Sequence, residues 1–358
     1  MNKYGLRTKL TATGIGVTLI PLLCITAINR FHSDKQIERT AEALNSLMVD
    51  NMEQVLHGVV KEAELTRVFI DEHIKSADLL ASFKAEQLGG FHFHPDRTIR
   101  WEATNQFTKQ KQTVELPSVS IGQDLFFDPI FDPATPVPLV DTVQTLINQT
   151  STVFQRMNEA GDMLRIGTSI IKKDGKRATG TFIPAVNPDG TPNAVVSTVM
   201  RNETFYGRAF VVDQWYITAY APILDKGKVS GILYVGIPET RVKEPLLKQL
   251  AETRIGEQCY VFVIDTSKGD RGKYILSKNR ERDGEQLIDS QDTNGRFFIR
   301  EMIEDAIQLP AGETGVITYP WQNTASGSPA TRMSVYTHIP EWNWLLGVST
   351  DEDELLAP

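Results

Sequence analysis

The sequence predicts an α+β protein: a transmembrane helix near the N-terminus, a long helix after it, and two small modules, each built around a central antiparallel sheet. Three observations carry that prediction. Leu10–Ile28 is a run of 19 residues without a charge; Phe31 to about Leu88 is free of proline; and two later stretches share roughly one order of strand, strand, helix and three strands. The 358 residues are 41% hydrophobic and 23% charged, the composition of a folded chain rather than a disordered one.

The apolar run comes first. At about 1.5 Å per residue it spans roughly 28 Å, close to the hydrocarbon thickness of a bilayer. Lys3, Arg7 and Lys9 precede it and no acid does. Residues 1–9 are therefore expected in the cytoplasm, 10–28 as the membrane helix, and 29–358 outside, giving a single-pass protein of the inner (cell) membrane. A cleaved signal peptide is the competing reading, but the run exceeds a usual signal core and no small-x-small site closes it before Asn29-Arg30. The net charge of −8 disfavours nucleic acid, which needs clustered cations against phosphate. Of the two cysteines, Cys24 lies in the apolar run, so no disulfide with Cys259 is expected.

Residues 31–88 form the second element. Ile37, Leu44, Met48, Met52, Val55, Val59, Leu65 and Phe69 fall mostly three, four or seven apart, and charges fill the other faces. A helix of this length has more apolar face than one small domain covers, so it is read both as backing for the globular part and as the contact of a homodimer. Gly89-Gly90 stops it.

From residue 90 to 240 the chain reads as the first module. His92 and His94 share one face of a predicted strand, but only Asp96 is near as a further ligand, so no metal site is expected. Arg100–Gln106 reads as a strand. Leu116–Leu139 holds five prolines together with Phe126, Phe127, Ile130 and Phe131; it reads as an ordered extended loop, because those rings need burial. Val140–Asn148 reads as a short helix. Gly207–Val212, Trp215–Ile223 and Ser230–Pro238 are rich in β-branched and aromatic residues and punctuated by Gly, Asp and Lys; they read as neighbouring antiparallel strands. Residues 241–255 form a connector helix with Leu246, Leu247 and Leu250 as its stripe. The second module, 256–350, offers strands at Cys259–Asp265 and Gly272–Ser277, a helix at Arg296–Gln308, and strands at Gly315–Pro320, Arg332–His338 and Trp344–Ser349. Its match in order to the first module suggests a diverged tandem repeat.

No motif for catalysis is present: there is no nucleophile elbow, zincin helix, Walker loop or Cys-x-x-Cys. The chain is therefore read as a non-enzyme without cofactor. What stands out is polar chemistry on an apolar sheet. Tyr216, Thr218 and Tyr220 share one face of their strand, and Trp215 lies on the other. Arg165 and Arg208 sit inside apolar strands, where a cation must be paired, with Asp162, Asp213 or Glu203, or must face solvent or ligand. These residues, with Thr168 and Thr181, form the candidate ligand site: apolar walls and a few aimed polar groups.

The runs VFQRMNEAGDMLRIGTSI, GRAFVVDQWYITAYAPI and GILYVGIP, with GKYILS, Arg282–Glu285, Tyr319–Trp321 and WNWLLGVS downstream, carry a family resemblance. The chain resembles the tandem Cache sensor domains, of the Cache 3/Cache 2 fusion type, found in methyl-accepting chemotaxis proteins and sensor kinases. The resemblance implies two PAS-like modules, with a small-molecule ligand (an organic acid, amino acid or amine) in the membrane-distal first module. It implies that the second module is membrane-proximal and relays the signal, and that 351–358 leads toward a second membrane helix. In related dicarboxylate sensors a strand arginine binds the carboxylate; Thr218 stands at that place here, and the Arg-x-x-His clamp has no counterpart. That departs from the dicarboxylate pattern and leaves Arg165 or Arg208 as a different source of the charge. The alternatives, a membrane-anchored scaffold, a tethered solute-binding protein or an exported hydrolase, predict a dry sheet, two closing lobes or a convergent acid–base pair respectively.

Overall fold

The computed structural model describes residues 4–253, 259–322 and 329–351. It opens on one helix, α1 (Tyr4–Gln87), where the sequence suggested two. No glycine or proline stands at Asn29-Arg30 to break the backbone ladder, so the helix runs through. Its end is as expected. The Gly90 amide bonds the Ala85 carbonyl and the Gly89 amide that of Glu86, with both glycines at positive φ, which is a Schellman termination. Among the described residues no helix is long and apolar enough to cross a membrane; the side chains of the expected span, Leu10–Ile28, lie outside those residues.

Two compact units follow from the contacts: Glu62–Leu250, and the residues up to Lys61 together with those from Ala251. Helix α1 thus contributes to both. Its buried face agrees with the expected one at Met52 and Val59 and departs from it further along. Met52, Leu56, Val59, Ala63, Ile70, Ile74, Ala77, Ala81 and Ala85 are buried, whereas Leu65 (59%) and Phe69 (71%) are exposed. From Ala77 on the inner stripe is alanine, which lets the helix approach its neighbours closely, and the larger Leu79 and Phe83 face outward.

The Glu62–Leu250 unit holds a nine-stranded sheet. Its strands are β1 (Phe91–Asn105), β2 (Lys111–Ile121), β3 (Leu125–Phe126), β4 (Thr150–Arg156), β5 (Met163–Thr168), β6 (Thr181–Ile183), β7 (Phe205–Val211), β8 (Gln214–Asp225) and β9 (Lys228–Pro238). They lie in the order β3-β2-β1-β6-β5-β4-β9-β8-β7. The last three are the predicted antiparallel neighbours, with Tyr220 opposite Tyr234. Strands β4 and β5 are buried along almost their whole length, so neither shows a polar/apolar alternation. The proline-rich stretch is only partly loop: β2 and β3 take its start, and Pro117 pairs where the β1 register shifts, a place that tolerates a missing N–H. Helices α2 (Val140–Ile147) and α3 (Ala194–Val199) complete the unit with α4 (Glu239–Glu252), which includes the expected connector.

The other unit contains β10 (Tyr260–Asp265), β11 (Tyr274–Leu276), α5 (Phe298–Gln308), β12 (Gly315–Gln322), β13 (Pro329–Ile339) and β14 (Trp344–Asp351). Its sheet order is β11-β10-β14-β13-β12. That is the order of β5-β4-β9-β8-β7 with strands matched by position in the chain. Helix α5 packs Phe298, Ile299, Met302, Ile303 and Ala306 against this sheet.

Candidate ligand-binding site

Among the described residues three arginines are buried, and their partners differ. Arg177 donates to both carboxylate oxygens of Asp141 at 2.8 and 2.9 Å and to the carbonyls of Asp132, Pro133, Thr135 and Thr168. It pins the proline-rich loop, which explains why that loop is ordered. Arg332 makes a bidentate pair with Asp351. Arg165 is different. It is 0% exposed, its Nη1 donates to Thr181 Oγ1, and its Nε and Nη2 have no hydrogen-bond partner. Neither Asp162 nor any other acid pairs with it among the described residues.

The surroundings of Arg165 are aromatic. Its guanidinium carbon lies 4.8 Å from the centre of the Phe154 ring. Phe154, Tyr216, Tyr220 and Tyr234 belong to one buried cluster, and Tyr220 and Tyr234 are 4.8 Å apart between ring centres. Burial weakens the hold of Arg165 on its proton, and the neighbouring phenols of Tyr220, Tyr234 and Tyr216 oppose that. Burial likewise pushes the Tyr220 phenol upward, against the pull of Arg165. A guanidinium stays protonated under these conditions, so the chain keeps an unmatched positive charge inside an apolar shell. An anion with two acceptor oxygens is the group that completes it.

Beside this cluster lies a cavity of about 470 Å³, lined by Asn193, Phe205, Arg208, Trp215 and Tyr220 among others. Tyr220 is common to the cavity and to the Arg165 cluster; Arg165 itself does not line the cavity. The volume is in the range of small-molecule sites, about 300–1,000 Å³. Asn193 holds one wall in place: its side chain caps α3 and bonds the Asn187 amide oxygen.

The eight predicted residues divide. Arg165, Thr181, Tyr216 and Tyr220 come together, and Trp215 and Arg208 line the cavity. Arg208 does not supply a free charge: it forks onto Glu239 at 2.9–3.1 Å and lies 3.9 Å over the Trp215 ring. Its partner is at the start of α4, not Asp213 or Glu203. Thr218 donates to the Gly207 carbonyl, and Thr168 bonds Thr152 at 2.6 Å; both hold strands together. Tyr234 and Phe154 are the additions. Counting outward from the β8–β9 turn points Tyr234 the wrong way, because a bulge at Ile223/Leu224 shifts the register by one. His92 and His94 are engaged by the Gly89 carbonyl and the Ser120 hydroxyl.

The Cache 3/Cache 2 fusion domain model matches residues 35–358. A sensor histidine kinase, MctS of Rhizobium johnstonii, is 26% identical over 122 residues, 34% of this chain and 25% of that protein. The chain thus spans about a quarter of the length of that curated relative. Among solved structures, the sensory domain of the Campylobacter jejuni chemoreceptor Tlp3 aligns over 87% of this chain and 96% of that one, at 14% identity and a TM-score of 0.42. A methyl-accepting chemotaxis protein from Vibrio parahaemolyticus aligns over 33% and 76%, at 21% identity and a TM-score of 0.28.

Proposed function

The chain belongs to the Cache 3/Cache 2 fusion domain family, and from that premise we propose that it is the extracytoplasmic sensing part of a transmembrane chemoreceptor or sensor kinase. Its ligand is a small carboxylate held against Arg165 in the Glu62–Leu250 unit, which we take as the membrane-distal module. The observation that carries this reading is the contrast among the buried arginines: two are fully matched by the chain's own acceptors, and Arg165 is not. The predicted face of Tyr216 and Tyr220 surrounds the charge, with Thr181 holding one nitrogen. The neighbouring cavity admits the rest of the ligand past Tyr220.

The signal leaves through α4. Arg208, on the cavity wall, is forked to Glu239, the first residue of that helix. An occupant that moves Arg208 alters a bond to α4, whose last residues lead into the other unit. Helix α1, which contributes to both units, is a second route. A ligand biases such an equilibrium only through its different affinity for the two states, and a hundredfold preference gives about 2.7 kcal/mol. The protein acts as a homodimer through α1: Leu65, Val68, Phe69, Leu79 and Phe83 present an exposed apolar row. Anchoring by Leu10–Ile28 places the sensing parts outside the membrane.

Calorimetry tests the ligand class. Small monocarboxylates, dicarboxylates and amino acids are titrated into the protein beside their neutral amides. Binding by the carboxylate and not by its amide is expected. Equal binding of the two overturns the assignment of Arg165 as the anchor.

A further inference from the structure

A second cavity, of about 330 Å³, lies within the Glu62–Leu250 unit and shares no lining residue with the first. It is bounded by α1, by the turn that follows α2, by the end of β9 and by α4. Gln149 lines it and is only 3% exposed, yet both its amide oxygen and its amide nitrogen are buried without a hydrogen-bond partner. A buried amide with neither end bonded is costly and rare. The remaining walls are mixed: Ile70, Ile147, Ile237, Val242 and Pro245 are apolar, while Thr66, His73, Asn148 and Arg241 are polar. Phe69 and His73 stand at the cavity with their rings parallel, 7° between planes and 6.0 Å between centres. Arg241 donates through Nη1 to the Asn148 carbonyl at 3.1 Å, bracing the turn that carries Gln149.

We infer that this cavity is a second ligand site, for a small, neutral, planar molecule that carries a hydrogen-bond donor beside an acceptor: a cyclic amide or imide of the nucleobase kind. The argument is one of matching. Gln149 offers one donor and one acceptor side by side, both unbonded. A carboxylate satisfies the amide nitrogen and repels the amide oxygen; an ammonium does the reverse. Only a group with both polarities on one edge satisfies both atoms, as Gln does when it pairs with the edge of a base. The apolar side chains of Ile70, Ile147, Ile237 and Val242 suit the faces of a flat ring. The inference does not depend on the anion site at Arg165.

The test is calorimetry on the full chain with uracil and hypoxanthine as probes and benzoate as a flat, charged control. Uracil or hypoxanthine is expected to bind, benzoate not. Gln149→Leu is expected to weaken the response about tenfold or more, since two hydrogen bonds are lost, and to leave the melting temperature equal or higher. Should that variant fail to fold, Val242→Phe fills the cavity from α4 and is expected to abolish the same response. Arg165→Met is expected to leave uracil binding unchanged. The inference is overturned by no binding of either probe up to its solubility. It is equally overturned by unchanged affinity in the folded Gln149→Leu variant or in the Val242→Phe variant, or by benzoate binding as tightly as uracil.

Discussion

Replacing Arg165 by methionine is expected to stabilise the unliganded protein while removing its response to carboxylates. Methionine keeps most of the volume and the unbranched shape, so the packing against Phe154 is retained. What disappears is a charge at 0% exposure with two nitrogens unbonded. Substituting well-packed apolar residues for buried charge typically gains about 1–4 kcal/mol. A gain of about 2 kcal/mol corresponds to a rise of roughly 4–8 °C in Tm for a unit of this size. The loss on the binding side is larger. A carboxylate bonded through Nε and Nη2 draws on two charge-assisted hydrogen bonds, so Kd is expected to weaken more than a hundredfold, about 3 kcal/mol. Differential scanning calorimetry with and without ligand reads both effects. At a ligand concentration of about 100 Kd the parent rises by about 2.7 kcal/mol and overtakes the variant, which does not move. A variant that melts well below the parent, or one that still responds to the carboxylate, refutes the reasoning.

Three further outcomes follow from the same geometry. Glu239→Gln leaves Arg208 with a neutral partner; because Arg208 is about one-third exposed (31%), the cost is expected near 1–2 kcal/mol, and the ligand-dependent change in hydrogen exchange along α4 should be lost. Asp78, buried on α1, accepts a bond from Tyr206 at 2.8 Å; burial raises its carboxyl above the usual range and pushes the Tyr206 phenol, with help from that bond, up to about 12. The folded state therefore holds the Asp78 proton longer, and stability falls as pH rises from the ordinary carboxylate pKa through the raised one. Asp78→Asn should show its greatest gain in Tm above that window, at neutral pH, and little gain at pH near 3. Leu79→Glu combined with Phe83→Glu, on the outer face of α1, should shift the protein to monomer in analytical ultracentrifugation while leaving carboxylate affinity intact.

Much of the fold was legible because its strands carry strong local signals. β7, β8 and β9 are rich in β-branched and aromatic residues and are separated by turns such as Lys226-Gly227, both at positive φ. The second module's elements were legible for the same reason. Strand β4 was not, since it is buried on both faces yet holds only Val153 and Phe154 as apolar residues, and neither was the polar start of β2. The face of α1 was misjudged because periodicity weighs large apolar residues. Close packing there selects alanine instead, and alanine carries little signal in a hydropathy pattern. At the site, chain-local information identified Arg165 and the tyrosines as unusual. It did not identify which arginine is matched, since Arg208 finds Glu239 31 residues away and Arg177 finds Asp141 36 residues away. Gln149 gave no signal at all: an unbonded amide is a property of packing, not of sequence.

The pair Arg332–Asp351 has a further meaning, although Arg332 lies on β13, the counterpart of β8, while Arg165 lies on β5, the counterpart of β11. Each unit buries an arginine in its sheet, but the second supplies the counter-charge from its own last strand, at 2.7 Å. Asp351 behaves as an acid tethered at an effective concentration that no dissolved metabolite reaches. That arginine is saturated from the moment the chain folds and has nothing to report. A single internal carboxylate is thus enough to make a buried arginine a fixed structural part of its unit.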